Sequence, residues 1–243
     1  MVSAVVLSPQ AEIILSKRYL KKDSNGNIQE TPEQMFRRVA CAVAEIERKY
    51  GASEKEVKDW ENTFFDMMVR FDFLPNSPTL MNAGTGQGPM SACYVLPLED
   101  SMQGIMQTAY DQAMIEKFGG GVGFPLSNLR PKGFSISTTQ GRACGPVSVL
   151  KTLSQVGTMI TQGGKRDGAH MAVLEVYHPD IVEFIHCKPK EGIISNFNIS
   201  VGVDSNFMEA VKNNGYIILS WPMTKDRWFS DPVDATQFLD DMS

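Results

Sequence analysis

The spacing of apolar residues predicts helices over the first part of the chain. Thr31 stands before Pro32 and an acidic first turn, and Ser53 stands before a second acidic turn, as at helix N-termini. Apolar residues then recur every three or four positions, at Met35, Val39, Val43 and Ile46, and at Val57, Trp60, Phe64, Met67 and Met68. The pattern predicts a helical N-terminal region over residues 1–72 that packs without chemistry of its own.

From residue 73 the pattern changes to short apolar runs separated by glycine-rich loops and helical stretches. The runs predicted as strands are 93–97, 171–176, 197–203 and 216–219, and 135–139 is a short extended run or loop. The stretches predicted as helices are 101–118, 145–162, 180–187 and 205–213, and the last residues before 243 also read as a helix under way. Because strands alternate with helices, residues 73–243 are predicted to form an α/β layer with a mainly parallel sheet.

Composition narrows the class of protein. The 243 residues are 42% hydrophobic and 21% charged, which excludes a disordered chain, a collagen and a coiled coil. The 23 basic and 28 acidic residues give a net charge of −5, so the chain lacks the basic surplus of a duplex nucleic-acid binder. No apolar run reaches the ~18–20 residues of a membrane span, and the N-terminus lacks a signal-peptide pattern. We expect a cytoplasmic protein without a membrane or direct nucleic-acid partner.

The four cysteines are widely spaced and form no CxxC pair. We expect reduced thiols, so that any disulfide would be a redox-active one. Cys93 begins an apolar run directly after a glycine-rich loop, where a thiol is either a packing residue or an accessible nucleophile. Cys144 and Cys187 are interpreted as structural thiols.

Common metal and nucleotide motifs are missing. His170, His178 and His186 are eight residues apart with no pattern that would bring them together, so we predict no metal site and expect His178 at a helix start. Residues 119–123 lack the GxGxxG order of a dinucleotide-binding turn. Lys165 is followed by Arg166 and not by Ser or Thr, which excludes a P-loop.

Several motifs nevertheless follow one another in a fixed order. They include Asn76-Ser77-Pro78-Thr79-Leu80, Ser91-Ala92-Cys93-Tyr94-Val95, residues 119–123, 129–133 and 145–148, Gly168-Ala169-His170-Met171, and Tyr177-His178-Pro179-Asp180-Ile181. Together they resemble the large subunit of ribonucleotide reductases, from residue 10 to residue 225. The last two motifs are most similar to the adenosylcobalamin-dependent class. The resemblance implies a helical N-terminal region followed by part of the first half of a ten-stranded α/β barrel.

The resemblance also implies roles for particular residues. Cys93 matches one member of the cysteine pair that reduces the ribose of the substrate, and Ser77, Thr79 and Ala92 match positions that contact this ribonucleotide. A second set matches the specificity site, which binds a deoxynucleotide or ATP effector: Asp100, Ser101, Met102, Arg130, Lys132, Ile136 and Ser137. A third set matches the loop that passes effector identity to the substrate: Gln162, Gly163, Gly164, Lys165 and Arg166.

The radical-bearing Asn-Pro-Cys-Gly-Glu motif of this family does not occur in the sequence. We therefore expect an N-terminal part of a ribonucleoside di- or triphosphate reductase that needs a complementary C-terminal chain or half. The resemblance further implies a homodimer formed through residues 101–118, adenosylcobalamin as cofactor and a thioredoxin-like reductant. Two alternatives stay open: a non-catalytic deoxynucleotide-binding regulatory module, and a truncated, inactive fragment.

Overall fold

The fold is taken from a computed structural model that describes residues 5–160, 169–188, 194–221 and 228–237. These residues form two compact units. The first runs to Ala92 and includes Phe118–Gly120, and the second begins at Cys93. Each unit has a hydrophobic core of its own.

The first unit is helical, as predicted. Its helices are α1 (Pro9–Ile14), α2 (Pro32–Ala44), α3 (Glu54–Val69) and α4 (Ser77–Asn82), with a π-helical turn at Leu15–Tyr19 and a 3₁₀ turn at Glu45–Tyr50. Thr31 and Ser53 each accept a hydrogen bond from the third backbone N–H of the helix that they cap, and a Gln or Glu side chain reaches back to the cap. These reciprocal bonds satisfy N–H groups that would otherwise lack partners.

Helices α2 and α3 supply most of the core of the first unit. Their buried faces include Met35, Phe36, Val39, Phe65 and Met68. Leu80 and Ala83, on and after α4, join the same core. The main segment of the first unit therefore runs past residue 72, because α4 is a short helix packed against α2.

An ion pair links α2 to the segment that carries α4. The guanidinium of Arg38 donates to both carboxylate oxygens of Glu30, at 2.9 and 2.7 Å, and also to the carbonyl oxygens of Leu80 and Ala83. Both charged side chains are largely buried, at 13% and 8% exposure. Arg38 therefore joins three parts of the first unit: helix α2, the segment before it that carries Glu30, and the segment with Leu80 and Ala83.

The second unit is built on a four-stranded sheet, and this confirms the predicted α/β architecture. Strands β1 (Cys93–Val95), β2 (Gly121–Pro125), β3 (His170–Glu175) and β4 (Phe197–Gly202) are all parallel and lie in sequence order. Helices α5 (Met102–Glu116), α6 (Pro146–Met159) and α7 (Ile181–Ile185) follow β1, β2 and β3 in turn. Helix α8 (Ser205–Lys212) leads to an antiparallel pair, β5 (Tyr216–Trp221) and β6 (Trp228–Asp234).

Three local predictions differ from the structure. The glycine-rich run 119–123 contributes the start of β2, where a Cβ on Gly121 would lie 2.6 Å from the carbonyl oxygen of Ala169. Residues 135–139 form no strand, although Ser135 makes an isolated bridge with Arg142. Residues 231–234, where the terminal helix was predicted to begin, belong to a strand paired with β5, and residues 235–237 are helical. Within the described residues, no helix is long and apolar enough to cross a membrane.

The buried Arg38–Glu30 pair predicts a large stability effect. We expect Arg38→Met to lower the free energy of unfolding by about 2–4 kcal/mol, since it removes the cation that pairs with the buried Glu30 carboxylate, leaving that group only the backbone N–H of Lys21, and it removes the donor to two carbonyl groups. Arg48→Met is the matched control, because Arg48 pairs with Glu45 and Glu54 on the surface. Urea unfolding followed by far-UV circular dichroism measures both variants, and similar losses in the two would contradict a special role for Arg38.

Candidate functional site

A cavity of about 410 Å³ lies in the second unit at the carboxyl ends of β1 and β2. Its walls come from the segment between β1 and α5, the segment between β2 and α6, and the first turns of both helices. The lining residues are Asp100, Ser101, Met102, Ile105, Leu129, Arg130, Ile136, Ser137, Thr138, Thr139, Ala143, Cys144, Gly145 and Val149. Ligands of α/β proteins commonly bind at this edge of a sheet, where loops follow the strands.

Ser101 fixes the start of α5 at the cavity wall. Its Oγ accepts a hydrogen bond from the backbone N–H of Gly104 at 3.0 Å, which is an N-cap. Gly104 is required there, because an added Cβ would lie 2.6 Å from the Cβ of Glu99. The capping bond uses a lone pair of Ser101, so its hydroxyl hydrogen stays available to donate to a ligand.

The charged groups of the cavity are Asp100 and Arg130. Nε of Arg130 donates to Oδ2 of Asp100 at 2.7 Å, and the backbone N–H of Arg130 donates to Oδ1 at 3.1 Å. Both side chains are partly exposed, at 23% and 29%. The terminal nitrogens of Arg130 make only long contacts, 3.4 Å to the carbonyl oxygen of Ser135 and 3.5 Å to that of Asp100. The guanidinium is thus oriented by Asp100 while two of its nitrogens can still bind an anion.

The wall opposite α5 is a folded-back loop. The backbone N–H of Gly133 donates to the carbonyl of Ala143, and Ala143 returns a bond to the carbonyl of Phe134. Ile136 donates to Gly141 farther out. The loop ends at Gly145, whose φ of +80° and close approach to Lys132 and Asp180 exclude a side chain. Helix α6 can begin at the cavity because of this glycine.

Hydrogen bonds of the His178 side chain stabilise the start of this loop. Its Nδ1 accepts from the backbone N–H of Asp180 at 3.0 Å, so Nε2 carries the proton and donates to the carbonyl of Leu129 at 2.9 Å. Burial lowers the pKa of His178, which favours this neutral form. Asp180 accepts from the backbone N–H of Lys132, and Nζ of Lys132 pairs with Glu183 at 2.9 Å. His178 therefore lies at the start of α7, as expected, and Lys132 is engaged with α7.

The predicted substrate residues are placed in both units. In the first, Oγ of Ser77 lies 2.9 Å from the hydroxyl of Tyr19, and Oγ1 of Thr79 contacts Oδ1 of Asn76 at 2.7 Å and the carbonyl of Met90 at 2.8 Å. Ala92 is the last residue of the first unit's main segment. The hydroxyl of Thr79 is therefore already bonded within the α4 cap.

Cys93 is the first residue of β1, at one edge of the sheet. Its thiol is exposed and forms no disulfide within the described residues. Cys144, expected to be structural, is also exposed and lines the cavity, whereas Cys187 is buried and burial raises the pKa of its thiol. Among the described residues no three His, Cys, Asp or Glu side chains converge as a metal site.

Comparison with known families agrees with this architecture. Residues 6–88 match the all-alpha domain of ribonucleotide reductase, and residues 91–237 match its barrel domain. The chain belongs to the ribonucleotide reductase family. It is a portion of the large, catalytic subunit.

The relatives of this ribonucleotide reductase chain are longer. It is 40% identical to a vitamin B12-dependent ribonucleoside-diphosphate reductase of Thermoplasma acidophilum, over 90% of this chain and 36% of the relative. A protein of the same description from Mycobacterium tuberculosis is 42% identical over 90% and 31% of the two chains. The ribonucleoside-diphosphate reductase subunit alpha of Helicobacter pylori is 32% identical over 73% and 22%. The chain spans about a third of the length of the first two relatives.

The structure of this reductase portion brings most of the predicted effector residues together. Asp100, Ser101, Met102, Arg130, Ile136 and Ser137 all line the cavity. Lys132 does not line it, because its side chain pairs with Glu183. The specificity-loop residues Gln162, Gly163, Gly164, Lys165 and Arg166 lie outside the described residues.

Sequence reasoning missed the apolar and hydroxyl walls of the cavity. Ile105 lies one helical turn after Ser101 and Met102 on the same face of α5, so helical spacing could have identified it. Thr138 and Thr139 directly follow the predicted Ile136 and Ser137. Val149, on α6, carries no such signal, because only the packing of α6 beside α5 brings it to the cavity.

Proposed function

We propose that this chain is the N-terminal portion of a ribonucleoside di- or triphosphate reductase, and that the cavity around Arg130 binds a deoxynucleotide effector. The observation that carries this proposal is the convergence of Asp100, Ser101 and Arg130 on one nucleotide-sized cavity. Family membership supports the reductase activity, and the relatives' vitamin B12-dependent descriptions favour a cobalamin enzyme.

The chemistry of the cavity suits a nucleoside triphosphate. Arg130 offers two guanidinium nitrogens to phosphate oxygens, and α5 and α6 both start at the cavity with the positive ends of their dipoles. The carboxylate of Asp100 and the hydroxyl of Ser101 can bond a sugar hydroxyl. Ile105 and Val149 supply apolar surface for a base. The cavity therefore combines an anion site with a sugar and base site.

Reduction of the substrate requires more than these residues provide. In the proposed reaction a thiyl radical takes the 3′ hydrogen and returns it at the end, the 2′ hydroxyl leaves as water, and two thiols supply two electrons and two protons and become a disulfide. Cys93 is exposed at a sheet edge and is proposed as one of the two thiols. The radical cysteine and the second reducing thiol must come from the complementary C-terminal part, since Asn-Pro-Cys-Gly-Glu does not occur in these 243 residues. A thioredoxin-like protein would then reduce the disulfide.

Adenosylcobalamin would supply the radical in an enzyme of this type. The two described cavities, of about 410 and 390 Å³, are too small to enclose a corrin ring. Neither of these cavities is therefore proposed as the cobalamin site, which is proposed to lie in the complementary part of the enzyme.

Effector binding can be tested on the chain itself. We expect saturable binding of dTTP by calorimetry, with ATP as the comparison ligand. Arg130→Ala should weaken dTTP binding by about tenfold or more, because charge-assisted bonds to phosphate are lost. Arg142→Ala is the control: Arg142 is exposed on the same loop, donates to the carbonyl of Gly133 and does not line the cavity. Equal weakening in both variants, or no binding by folded chain, would contradict the assigned site.

The role of Cys93 needs the complementary half. In an enzyme reconstituted from the two parts, Cys93→Ser should abolish deoxynucleotide formation supported by a dithiol while dTTP affinity stays unchanged. Cys41→Ser is the matched control at another exposed thiol. If Cys93→Ser retains turnover, the non-catalytic regulatory module becomes the better interpretation. Turnover by the 243-residue chain alone would contradict the need for a second part.

An apolar stripe on α5 supports the proposed homodimer. Met106, Tyr110 and Met114 are spaced four residues apart and are 48%, 60% and 41% exposed, and Met102 at the cavity is 72% exposed. A helix face of this kind is usually covered by another protein surface. We propose that a second copy covers it, which would place two effector cavities near one interface.

Sedimentation velocity over a range of concentrations tests this dimer. The chain should shift from monomer to dimer as its concentration rises, and Tyr110→Glu should stay monomeric, because a carboxylate would be desolvated at the contact. Tyr50→Glu places the same change at a Tyr that is 82% exposed in the first unit, and it should behave like the unchanged protein. A single monomeric species at every concentration would overturn the proposal.

A further inference from the structure

Glu116 and His170 form a buried pair at the opposite end of α5 from the effector cavity. Glu116 is fully buried, His170 is 2% exposed, and Oε1 of Glu116 lies 3.2 Å from Nδ1 of His170. Apart from this approach, neither carboxylate oxygen nor Nδ1 has a well-formed hydrogen bond among the described residues, although the Gln112 side chain lies close enough to lower the pKa of Glu116 against the effect of burial. Polar atoms buried in this way are costly unless they bond to one another. A proton on the carboxyl would supply the missing donor.

The pair is enclosed by neighbouring elements. Nε2 of Gln112 donates to the carbonyl of Leu153 at 2.9 Å and so joins α5 to α6. Asn196, just before β4, donates to the carbonyl of Ser154 at 3.0 Å and accepts from its hydroxyl at 2.6 Å. A Cβ on Gly157 would lie 2.9 Å from Nε2 of His170. Helix α6 therefore approaches the ring closely enough to exclude a side chain.

The position of the pair connects it with the proposed effector response. Helix α5 has its first turn at the cavity and ends at Glu116, 15 residues and about 22 Å later. His170 is the first residue of β3 and follows, in sequence, the predicted specificity-loop residues Gln162–Arg166. The pair thus joins the far end of an effector-binding helix to the strand that begins where the loop ends.

We propose that Glu116 and His170 are positioning residues for effector response: one proton held between Glu116 Oε1 and His170 Nδ1 fixes the start of β3 against α5. The inference rests on the proposed effector site, and it adds that transmission of the effector signal depends on this proton. When the proton is lost, the carboxylate of Glu116 becomes a buried charge with no cation to compensate it, and the contact between α5 and β3 weakens.

The electrostatics of the pair set the direction of its pH dependence. Burial raises the pKa of Glu116 to about 7 and lowers the pKa of His170, so both neutral forms are favoured. Of the elements packed around the pair, α5, α6 and the segment before β4 present the neutral Gln112, Ser154 and Asn196. No third charged group contributes to either pKa within the described residues.

The sign follows from comparison with the unfolded chain. Glu116 takes up its proton more readily when folded, so its stabilising effect is complete below its ordinary pKa of 4.5 and is lost as the pH rises through about 7. His170 has the opposite effect, because stability is lost only as the pH falls below its ordinary pKa of 6.5. Above about pH 6.5, Glu116 is therefore the member of the pair that determines how the stability of the folded chain changes with pH.

The first arm tests for the shared proton through the thermal stability of the chain, without any ligand. Thermal unfolding of the chain is compared with that of Glu116→Gln, whose amide N–H can donate to Nδ1 at every pH. Relative to this variant, the unchanged chain should lose about 2–3 °C in Tm between pH 6.5 and 8.5. Asp111→Asn, on a more exposed face of α5, is the control and should show no such relative change. A Tm difference that does not vary with pH would overturn the shared proton.

The second arm measures the effector response in the reconstituted enzyme. The readout is the ratio of turnover with dTTP to turnover without it, which a general loss of stability would not move. This ratio should fall by about threefold or more between pH 6.5 and 8.5 and should be constant in Glu116→Gln. His170→Asn covers the case in which Glu116→Gln folds poorly. Its amide N–H can donate to the ionised carboxylate, so the fall in the ratio should be smaller than in the unchanged enzyme, and an equal fall would contradict the proposal.

The outcomes separate the two proposals. The same pH profile in the unchanged enzyme and in Glu116→Gln would make the pair structural only and overturn its positioning role. If calorimetry shows no dTTP binding in any variant, the effector assignment fails and the positioning role fails with it. In that case the Tm arm still decides whether the proton is shared.

Discussion

The order of the strands in the sheet determines where everything else in the second unit lies. Four parallel strands in sequence order need a crossover after each strand, and right-handed crossovers of this kind place their helices on the same face. Helices α5 and α6 are therefore neighbours, and both start at the carboxyl edge of the sheet. The cavity forms between their first turns, and the Glu116–His170 pair forms where their last turns meet β3. One topological constraint thus creates a polar site at each end of the same two helices.

The Arg38–Glu30 pair of the first unit and the Arg130–Asp100 pair of the second differ in how far the arginine nitrogens remain available to a ligand. Arg38 gives four of its five N–H donors to Glu30 and to two carbonyl groups, so it holds the helices of the first unit together with every guanidinium nitrogen engaged. Arg130 is tied to Asp100 mainly through Nε and its backbone N–H, and its outer nitrogens make only long contacts. Partial exposure also keeps the desolvation cost of Arg130 low. The first arrangement suits a structural role, and the second suits recognition of an anionic ligand.

Much of the fold could be predicted from local sequence. The caps at Thr31 and Ser53 and the helical spacing that follows them fix α2 and α3, and the apolar runs at 171–176 and 197–203 correspond to β3 and β4. Strand β2 was missed because it begins with glycines. They are needed where neighbouring backbones approach closely, and they add no apolar side chains to an alternating pattern. The short helix α4 was not among the predicted helices, because its six residues are too few to show a helical repeat of apolar positions.

The site was predictable only in part, for a related reason. Most residues predicted for the effector site line one cavity, because the family motifs cover the segments that follow β1 and β2. The motifs do not report that Lys132 pairs with Glu183 across the loop. Nor does any local pattern join Glu116 to His170, since the two are separated by α6 and a long loop. Contacts between distant elements decide these features, and sequence spacing within one element cannot express them.

Sequential strand order also has a consequence for how the protein is made. Each strand of the sheet pairs with the one synthesised just before it, so no gap has to stay open for a later strand. The helices of the first unit, whose contacts are close in sequence, can pack while the sheet is still emerging from the ribosome. Assembly can therefore proceed in the direction of translation, and during that process the growing edge of the sheet is always its newest strand.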